Sequence, residues 1–397
     1  IRGAHKPLIV AGGGIIYSNA HEALRAFVEQ TGIPVGASQA GVGSLNWDHP
    51  QYLGSVGATG TFAANRAAHD ADVVIGIGTR YSDFTTASRT AFQNSKVTFV
   101  NINVASFDAF KHGSTHAVVG DARESLSELA DLLSDYRVPD SFRAGYSADL
   151  AEWHATVDAA FVDQKRELPS QTEIIGAVQG ATDPRDVLVC AAGSLPGDLH
   201  KLWRVRDPLG YHVEYAFSTM GYEIAGGIGV ARADTTRDSI VMVGDGSYLM
   251  LNSEIVSAVA EGIKFIVVLI QNHGYASIGH LSEDLGSQRY GTLYRTHDKL
   301  ANTFSTGAKL PIDLATNAES LGMDVIRIEP TSDALADLAM GDVRKLEVAA
   351  VADFLLQAAD LLPLATDLGV GGLELRQRVP PQHRDTVERY FSSGGGE

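Results

Sequence analysis

The chain opens on a short apolar run, residues 7–10 (PLIV), that ends in Gly12-Gly13-Gly14. A run this short, closed by glycine, predicts a buried strand ending in a turn. Ala23, Phe27 and Val28 then recur at helical spacing, and Asn19 with Glu22 makes an N-x-x-E pattern of the kind that caps a helix start. Residues 33–35 begin a second strand. Residues 72–77 (DVVIGI) and 96–102 (KVTFVNI) predict two more, and residues 118–121 (VVGD) close another before an amphipathic helix to about Leu133. Apolar strands that alternate with helices imply a parallel sheet covered on both faces.

The pattern breaks between about Asp135 and Ser170. Pro139 and Gly145 punctuate a linker, within which Leu150, Trp153, Val157 and Phe161 predict a helix. Leu168-Pro169-Ser170 ends it, with Ser170 placed to cap the next helix. A second alternation starts near Gln171. Residues 187–190 (VLVC) run into Ala191-Ala192-Gly193-Ser194, residues 240–243 (IVMV) into Gly244-Asp245-Gly246-Ser247, and residues 265–270 (FIVVLI) into Gln271-Asn272-His273-Gly274. A helix over 253–261, closed by Gly262, joins the last two strands. The expected fold is α/β, with two doubly wound parallel-sheet domains over 1–135 and 171–335, a linker over 136–170, and a helical tail over 336–397.

Composition narrows the function classes. The formal net charge is −17 with no cluster of lysines and arginines, whereas a nucleic-acid binder needs a basic face. No run approaches the roughly 20 apolar residues of a membrane span. No basic segment followed by an apolar stretch marks a secretory signal. Cys190 is the single cysteine among 397 residues, which excludes an internal disulfide and suits a reducing compartment. A soluble cytoplasmic protein is expected, without a nucleic-acid or membrane partner. Any phosphate it binds must be held by backbone amides and a metal.

The chemistry concentrates at Asp245 and Asn272. Each follows the end of an apolar strand, and one helix joins those strands. A right-handed βαβ unit makes such strands close neighbours, so both side chains project into the crevice beyond the strand ends, where open α/β sheets bind ligands. A carboxylate and an amide oxygen are hard donors that suit magnesium, which is commonly completed by phosphate and water. The Gly274 carbonyl is a possible third donor. Gly244 and Gly246 allow close backbone approach to a phosphate, and Ser247 adds a hydroxyl. Taken separately, Gly-Asp-Gly and Asn-x-Gly are common turns. Their spacing one strand, helix and strand apart is far more specific.

GDGS at 244–247 followed by NHG at 272–274 resembles the cofactor motif of the thiamine-diphosphate-dependent enzymes. The resemblance implies thiamine diphosphate with Mg2+ held by Asp245, Asn272 and the Gly274 carbonyl. It implies further diphosphate contacts at Gly193, Ser194, Gly244, Gly246 and Ser247. Residues 217–221 (FSTMG), before the Gly- and Ala-rich 224–231, resemble the segment that grips the aminopyrimidine. Met220 would then wedge the cofactor into its bent form, and the Ser218 carbonyl would accept from its exocyclic amine. Gly41-Val42-Gly43-Ser44 through His49-Pro50, Leu53-Gly54 and 57–61 are similar to the family's central domain, a scaffold that in some members binds FAD or a nucleotide. The Gly12-Gly13-Gly14 turn is weak evidence for NAD, because no acidic residue follows at the expected place.

Residues 191–204, 214–230 and 272–295 resemble one branch of this family, which opens a polyhydroxylated cyclic 1,2-diketone to 5-deoxyglucuronate in inositol catabolism. That chemistry implies attack by the cofactor carbanion on a ketone, cleavage of the adjacent ring bond and release of a carboxylate by water. It also implies a polar pocket, for which His273, His280, Ser282, Glu283, Gln288 and Arg289 are candidates, with His200, Tyr222 and Glu223 as others. The alternatives are an acetolactate-synthase-like carboligase or decarboxylase acting on pyruvate, a nucleotide-binding oxidoreductase built on the first domain, and a non-catalytic cofactor-binding remnant. The family pattern includes a preceding pyrimidine-binding domain that carries the catalytic glutamate, and an active homodimer or homotetramer. No such domain stands before Ile1, so this chain by itself is expected to be inactive. The resemblance fades near Glu329-Pro330, and residues 340–397 read as an Ala- and Leu-rich helix with a polar tail.

Overall fold

The computed structural model describes residues 1–162, 169–286, 289–328 and 350–352. The fold is α/β with two sheets, each six-stranded and parallel throughout, as the alternating pattern predicts. The first sheet holds β1 (Pro7–Ala11), β2 (Val35–Ala37), β3 (Tyr52–Ser55), β4 (Val73–Ile77), β5 (Thr98–Asn103) and β6 (Ser114–Val119), in the order β3-β2-β1-β4-β5-β6. Strand addition reverses between β1 and β4, which opens a crevice beyond their carboxyl ends. All five residues of β1 are buried, so its run of apolar residues needs no alternation.

The helix His21–Thr31 buries Leu24, Phe27 and Val28 and stops at Gly32, whose φ of 70° suits glycine. Its start differs from the expected Asn19/Glu22 cap. Ala20 is the N-cap and supplies no side-chain bond, while Asn19 sits at φ 49° in the preceding turn. Glu22 pairs with Arg25 instead. Strand β6 departs from two-sided burial because it forms the edge of the sheet, and Val118 and Val119 stay largely exposed.

Much of the expected linker is one packed helix, Asp140–Phe161, whose Tyr146, Leu150, Trp153 and Val157 are buried. Trp153 meets Phe62 edge-on at 5.4 Å, and the Tyr146 hydroxyl donates to the Gly32 carbonyl at 2.9 Å. Ser170 caps the next helix, Gln171–Ala181, in a capping box with Glu173.

The second sheet holds β7 (Val187–Cys190), β8 (Tyr211–Val213), β9 (Ser239–Gly244), β10 (Ile266–Ile270), β11 (Arg327–Ile328) and β12 (Ala350–Ala352), in the order β11-β12-β10-β9-β7-β8. Val189, Val241, Val243, Val267 and Leu269 pack with Ile224, Ile228 and Ile255 into its core. Strand β12 inserts between β10 and β11. It lies past Pro330, where a helix was expected; the apolar residues 350–352 (AVA) extend the sheet instead. Residues 353–397 lie outside the described part.

The chain divides into two compact units. Of the described residues, 1–272, 312–328 and 350–352 contain both sheets, and those within 273–311 belong to the other unit. In the latter, the helix Ala276–Asp284 accompanies antiparallel bridges at Gly274/Leu293, Arg295/Lys309 and Asp298/Thr303. Among the described residues no helix is long and apolar enough to cross a membrane.

Candidate functional site at the carboxyl ends of the second sheet

Parallel pairing sets Gly244 of β9 opposite Ile270 of β10. Asp245 and Asn272 therefore leave the sheet from the same end of adjacent strands. Asp245 is 1% exposed and begins the short helix Asp245–Leu251, and one of its carboxylate oxygens accepts from the Gly246 amide at 2.7 Å. The side-chain oxygen of Asn272 is buried with no hydrogen-bond partner among the described residues. Most buried polar atoms are paired, so an orphan acceptor calls for an explanation, and a bound cation is one. A small hard cation fits: it would find one carboxylate and one amide oxygen at neighbouring strand ends. No group of three or more His, Cys, Asp or Glu side chains able to hold a metal occurs among the described residues. A cation here therefore relies on amide, carbonyl or ligand oxygens beside Asp245.

Strand β7 neighbours β9 on the other side and ends in the same crevice. Gly193 follows it at φ 101°, with nothing within 4 Å of the place a Cβ would take, and Ser194 begins the helix Ser194–Leu202. Gly244 is equally open. Ser247 is buried. Cys190, at the end of β7, is a core thiol that burial pushes up to about 12, so it is no nucleophile at neutral pH.

The loop before the helix Tyr222–Ala233 carries Ser218 at φ 53° and the half-buried Met220. The Glu214 carboxylate shapes that loop by accepting from the amides of Phe217 at 3.1 Å and Thr219 at 2.7 Å. Burial works against its charged form, yet those amides hold the carboxyl below its ordinary range. Glu223, 1% exposed, accepts from the Gly221 amide at 3.0 Å and the Ala192 amide at 3.4 Å, and bonds the Ser247 side chain. Burial pushes its carboxyl upward.

A sequence model described as the thiamine pyrophosphate enzyme central domain matches residues 1–129. A second, described as the thiamine pyrophosphate enzyme C-terminal TPP binding domain, matches residues 191–354. The chain belongs to the thiamine pyrophosphate enzymes. It is similar to 3D-(3,5/4)-trihydroxycyclohexane-1,2-dione hydrolase 2 of Bacillus cereus, with 38% identity over 377 residues, 89% of this chain and 58% of the relative. The 3D-(3,5/4)-trihydroxycyclohexane-1,2-dione hydrolase of Bacillus anthracis is 37% identical over 368 residues, 85% of this chain and 56% of that protein. The chain thus spans a little over half the length of these relatives.

In this member of the family the two glycine-marked sheet ends differ. After β1, a Cβ on Gly12 would run into the Gly78 carbonyl, so that glycine serves backbone packing. A cavity of about 670 Å³ lies beside it, with Ser18, Thr79, Asn103, Asp121 and Tyr215 among its walls. After β7 and β9 the glycine space is open. Gly193, Ser194, Ser218, Met220, Gly244, Asp245, Gly246, Ser247 and Asn272 all lie in the unit that holds the sheets, while His273, Gly274, His280 and Glu283 lie in the other. There His273 adopts φ 60°, His280 is half-buried, and Glu283 accepts from Arg289 Nε at 2.8 Å. Gln288 lies outside the described residues. His200 is buried, its Nδ1 2.8 Å from the Thr59 hydroxyl, and it lines a small cavity with Trp47, Trp153 and Arg204. The role of Glu214 escaped the sequence reading. Its signal is an acidic residue three and five positions before free amides in a Ser- and Thr-containing turn.

Proposed function

We propose that this end of the second sheet binds thiamine diphosphate with Mg2+, and that the longer protein to which such a chain corresponds opens a polyhydroxylated cyclic 1,2-diketone by hydrolysis. The observation that carries the reading is the pair formed on adjacent strand ends by buried Asp245 and the Asn272 oxygen, which has no partner among the described residues. Asp245 and Asn272 are assigned to the metal, with the Gly274 carbonyl as third protein donor. Gly193, Ser194, Gly244, Gly246 and Ser247 are assigned to the diphosphate, and Ser218 and Met220 to the aminopyrimidine and its bend. Bound thiamine diphosphate supplies a nucleophilic carbon and an electron sink. The protein's part is to hold it, keep the metal charge against the phosphates and orient a polar ring.

The names of the relatives support the diketone substrate and, through it, a place in inositol catabolism. His273, His280, Glu283 and Gln288 are the candidates for its hydroxyls. The buried single thiol supports a cytoplasmic setting. A homodimer or homotetramer is the expected active form.

Calorimetry of the 397-residue chain with thiamine diphosphate and Mg2+ tests the site. Asp245→Ala should abolish metal-dependent binding, and unchanged binding would sink the assignment. Assays of the longer protein with a trihydroxycyclohexane-1,2-dione and with pyruvate test the reaction. Turnover of pyruvate alone would favour an acetolactate-synthase-like activity.

A further inference from the structure

Glu223 occupies the first turn of the helix Tyr222–Ala233, where acidic residues usually stand in solvent and favour the helix dipole. Here the side chain is 1% exposed and faces inward. Its carboxylate accepts from two separate segments, the Ala192 amide in the loop after β7 and the Gly221 amide beside Met220, and the Ser247 side chain after β9 further favours its charged form. No ion pair to Glu223 occurs among the described residues, so neutral donors alone compensate it. A buried carboxylate is costly without full hydrogen bonding, and that cost makes it a strong geometric constraint on the groups that satisfy it. Removing it leaves the Ala192 and Gly221 amides without their acceptor at once.

We propose that Glu223 is a positioning residue that fixes these three segments in one arrangement before the cofactor arrives. This rests on the reading of the site given above. Each segment adjoins a residue assigned to the cofactor: Ala192 precedes Gly193 and Ser194, Gly221 follows Met220, and Ser247 follows Gly246. A cradle ordered in advance loses less binding energy to the ordering of loops. The carboxylate also occupies the Ala192 and Gly221 amides, which directs the phosphates to other donors of the crevice.

The test compares the 397-residue chain with Glu223→Ala and Glu223→Gln, measuring thiamine diphosphate affinity in Mg2+ by calorimetry and amide hydrogen exchange without ligand. Glu223→Ala should weaken binding about ten- to hundred-fold, the usual effect of losing a supporting partner. It should also speed exchange at Ala192 and Gly221. Glu223→Gln keeps the shape but only one acceptor oxygen, and its NH2 faces the Ala192 or the Gly221 amide, so its affinity should fall between that of the alanine variant and that of the unsubstituted chain. Equal affinity of Glu223→Ala and the unsubstituted chain would overturn the proposal. So would a glutamine variant with full affinity, because its side chain cannot accept from both amides. If the alanine variant does not fold, Glu223→Asp serves: its shorter arm cannot span both amides, and full affinity there would be equally fatal. Should the unsubstituted chain bind no cofactor, the reading of the site fails. The exchange rates then decide the positioning role separately, with unchanged rates in Glu223→Ala counting against it.

Discussion

The two sheets of this chain are wound alike, yet their carboxyl ends are built for different purposes. Both carry glycines just after central strands. At β1 the glycine is consumed by the fold, because the Gly78 backbone fills the space beside Gly12. At β7 and β9 no described residue fills the space beside Gly193 and Gly244, and the neighbouring Asn272 oxygen has no partner among the described residues. A glycine turn is therefore no evidence for phosphate binding until one knows what occupies the place of the missing Cβ. The difference lies at the glycines themselves: backbone fills the place of the missing Cβ at Gly12 and leaves it open at Gly193 and Gly244 among the described residues.

The largest effect should come from filling the packed end. Gly12→Ala sets a methyl group against backbone, which cannot rotate away as a side chain would. Overpacking of this kind costs about 3 kcal/mol. Urea denaturation should show the transition midpoint falling accordingly. Cofactor affinity per folded molecule should stay unchanged, and a loss there would show that the two ends are less independent than the contrast requires.

Next comes the joint between the two sheets, where His200 bonds Thr59 and its carbonyl accepts from Ser55. Burial, helped by the charge of Lys201, holds its imidazole neutral down to about 3, against an ordinary 6.5. Between these values the unfolded chain binds a proton that the folded chain refuses. Its stabilising contribution is therefore complete above pH 6.5 and declines as the pH falls toward 3. The slope is about 1.4 kcal/mol per pH unit, or about 2 kcal/mol by about pH 5. Denaturation from about pH 7 to about pH 5 should show this slope in the wild type and its loss in His200→Gln. Parallel curves would mean that His200 is already charged in the folded state.

Strands β1, β2, β4, β5, β6, β7, β9 and β10 were legible, most of them because buried parallel strands read as continuous apolar runs, as in PLIV and FIVVLI, whereas the short β3, β8 and β11 went unread. The Asp245 and Asn272 pair was legible because both residues sit at fixed offsets from strand ends. Three features were hidden for physical reasons. Strand β12 is made of alanine and valine, which fit a helix or a strand equally until neighbours decide. Asn19 was a plausible cap, but the preceding turn took it into the left-handed region. The inward turn of Glu223 depends on donors from loops 31 and 24 residues away in sequence, and no local pattern carries that.

A smaller effect should separate stability from function at the open end. Asn272→Leu replaces an unsatisfied buried acceptor with an apolar group of similar volume. Relief of that penalty should raise the unfolding free energy of the metal-free chain by about 1 kcal/mol. The same change should eliminate Mg2+-dependent binding of thiamine diphosphate. A metal-free protein that becomes less stable would show that the oxygen has a partner in solution.

The smallest effect on stability is expected at Gly244, and it tests the comparison most directly. Its φ of −79° and ψ of 157° are extended backbone that alanine adopts freely, and nothing lies within 4 Å of the new methyl group. Gly244→Ala should therefore change stability by no more than about 0.5 kcal/mol, in the favourable direction if the reduced freedom of the unfolded chain prevails. Affinity is where the substitution should be felt. If the diphosphate approaches the backbone after β9, the methyl group occupies part of its space and binding weakens while the fold is untouched. Destabilisation comparable to Gly12→Ala would mean that both sheet ends are packed alike. Unchanged affinity would instead assign the open space beside Gly244 to something other than the phosphates, and shift the weight of binding to the Gly193 loop after β7.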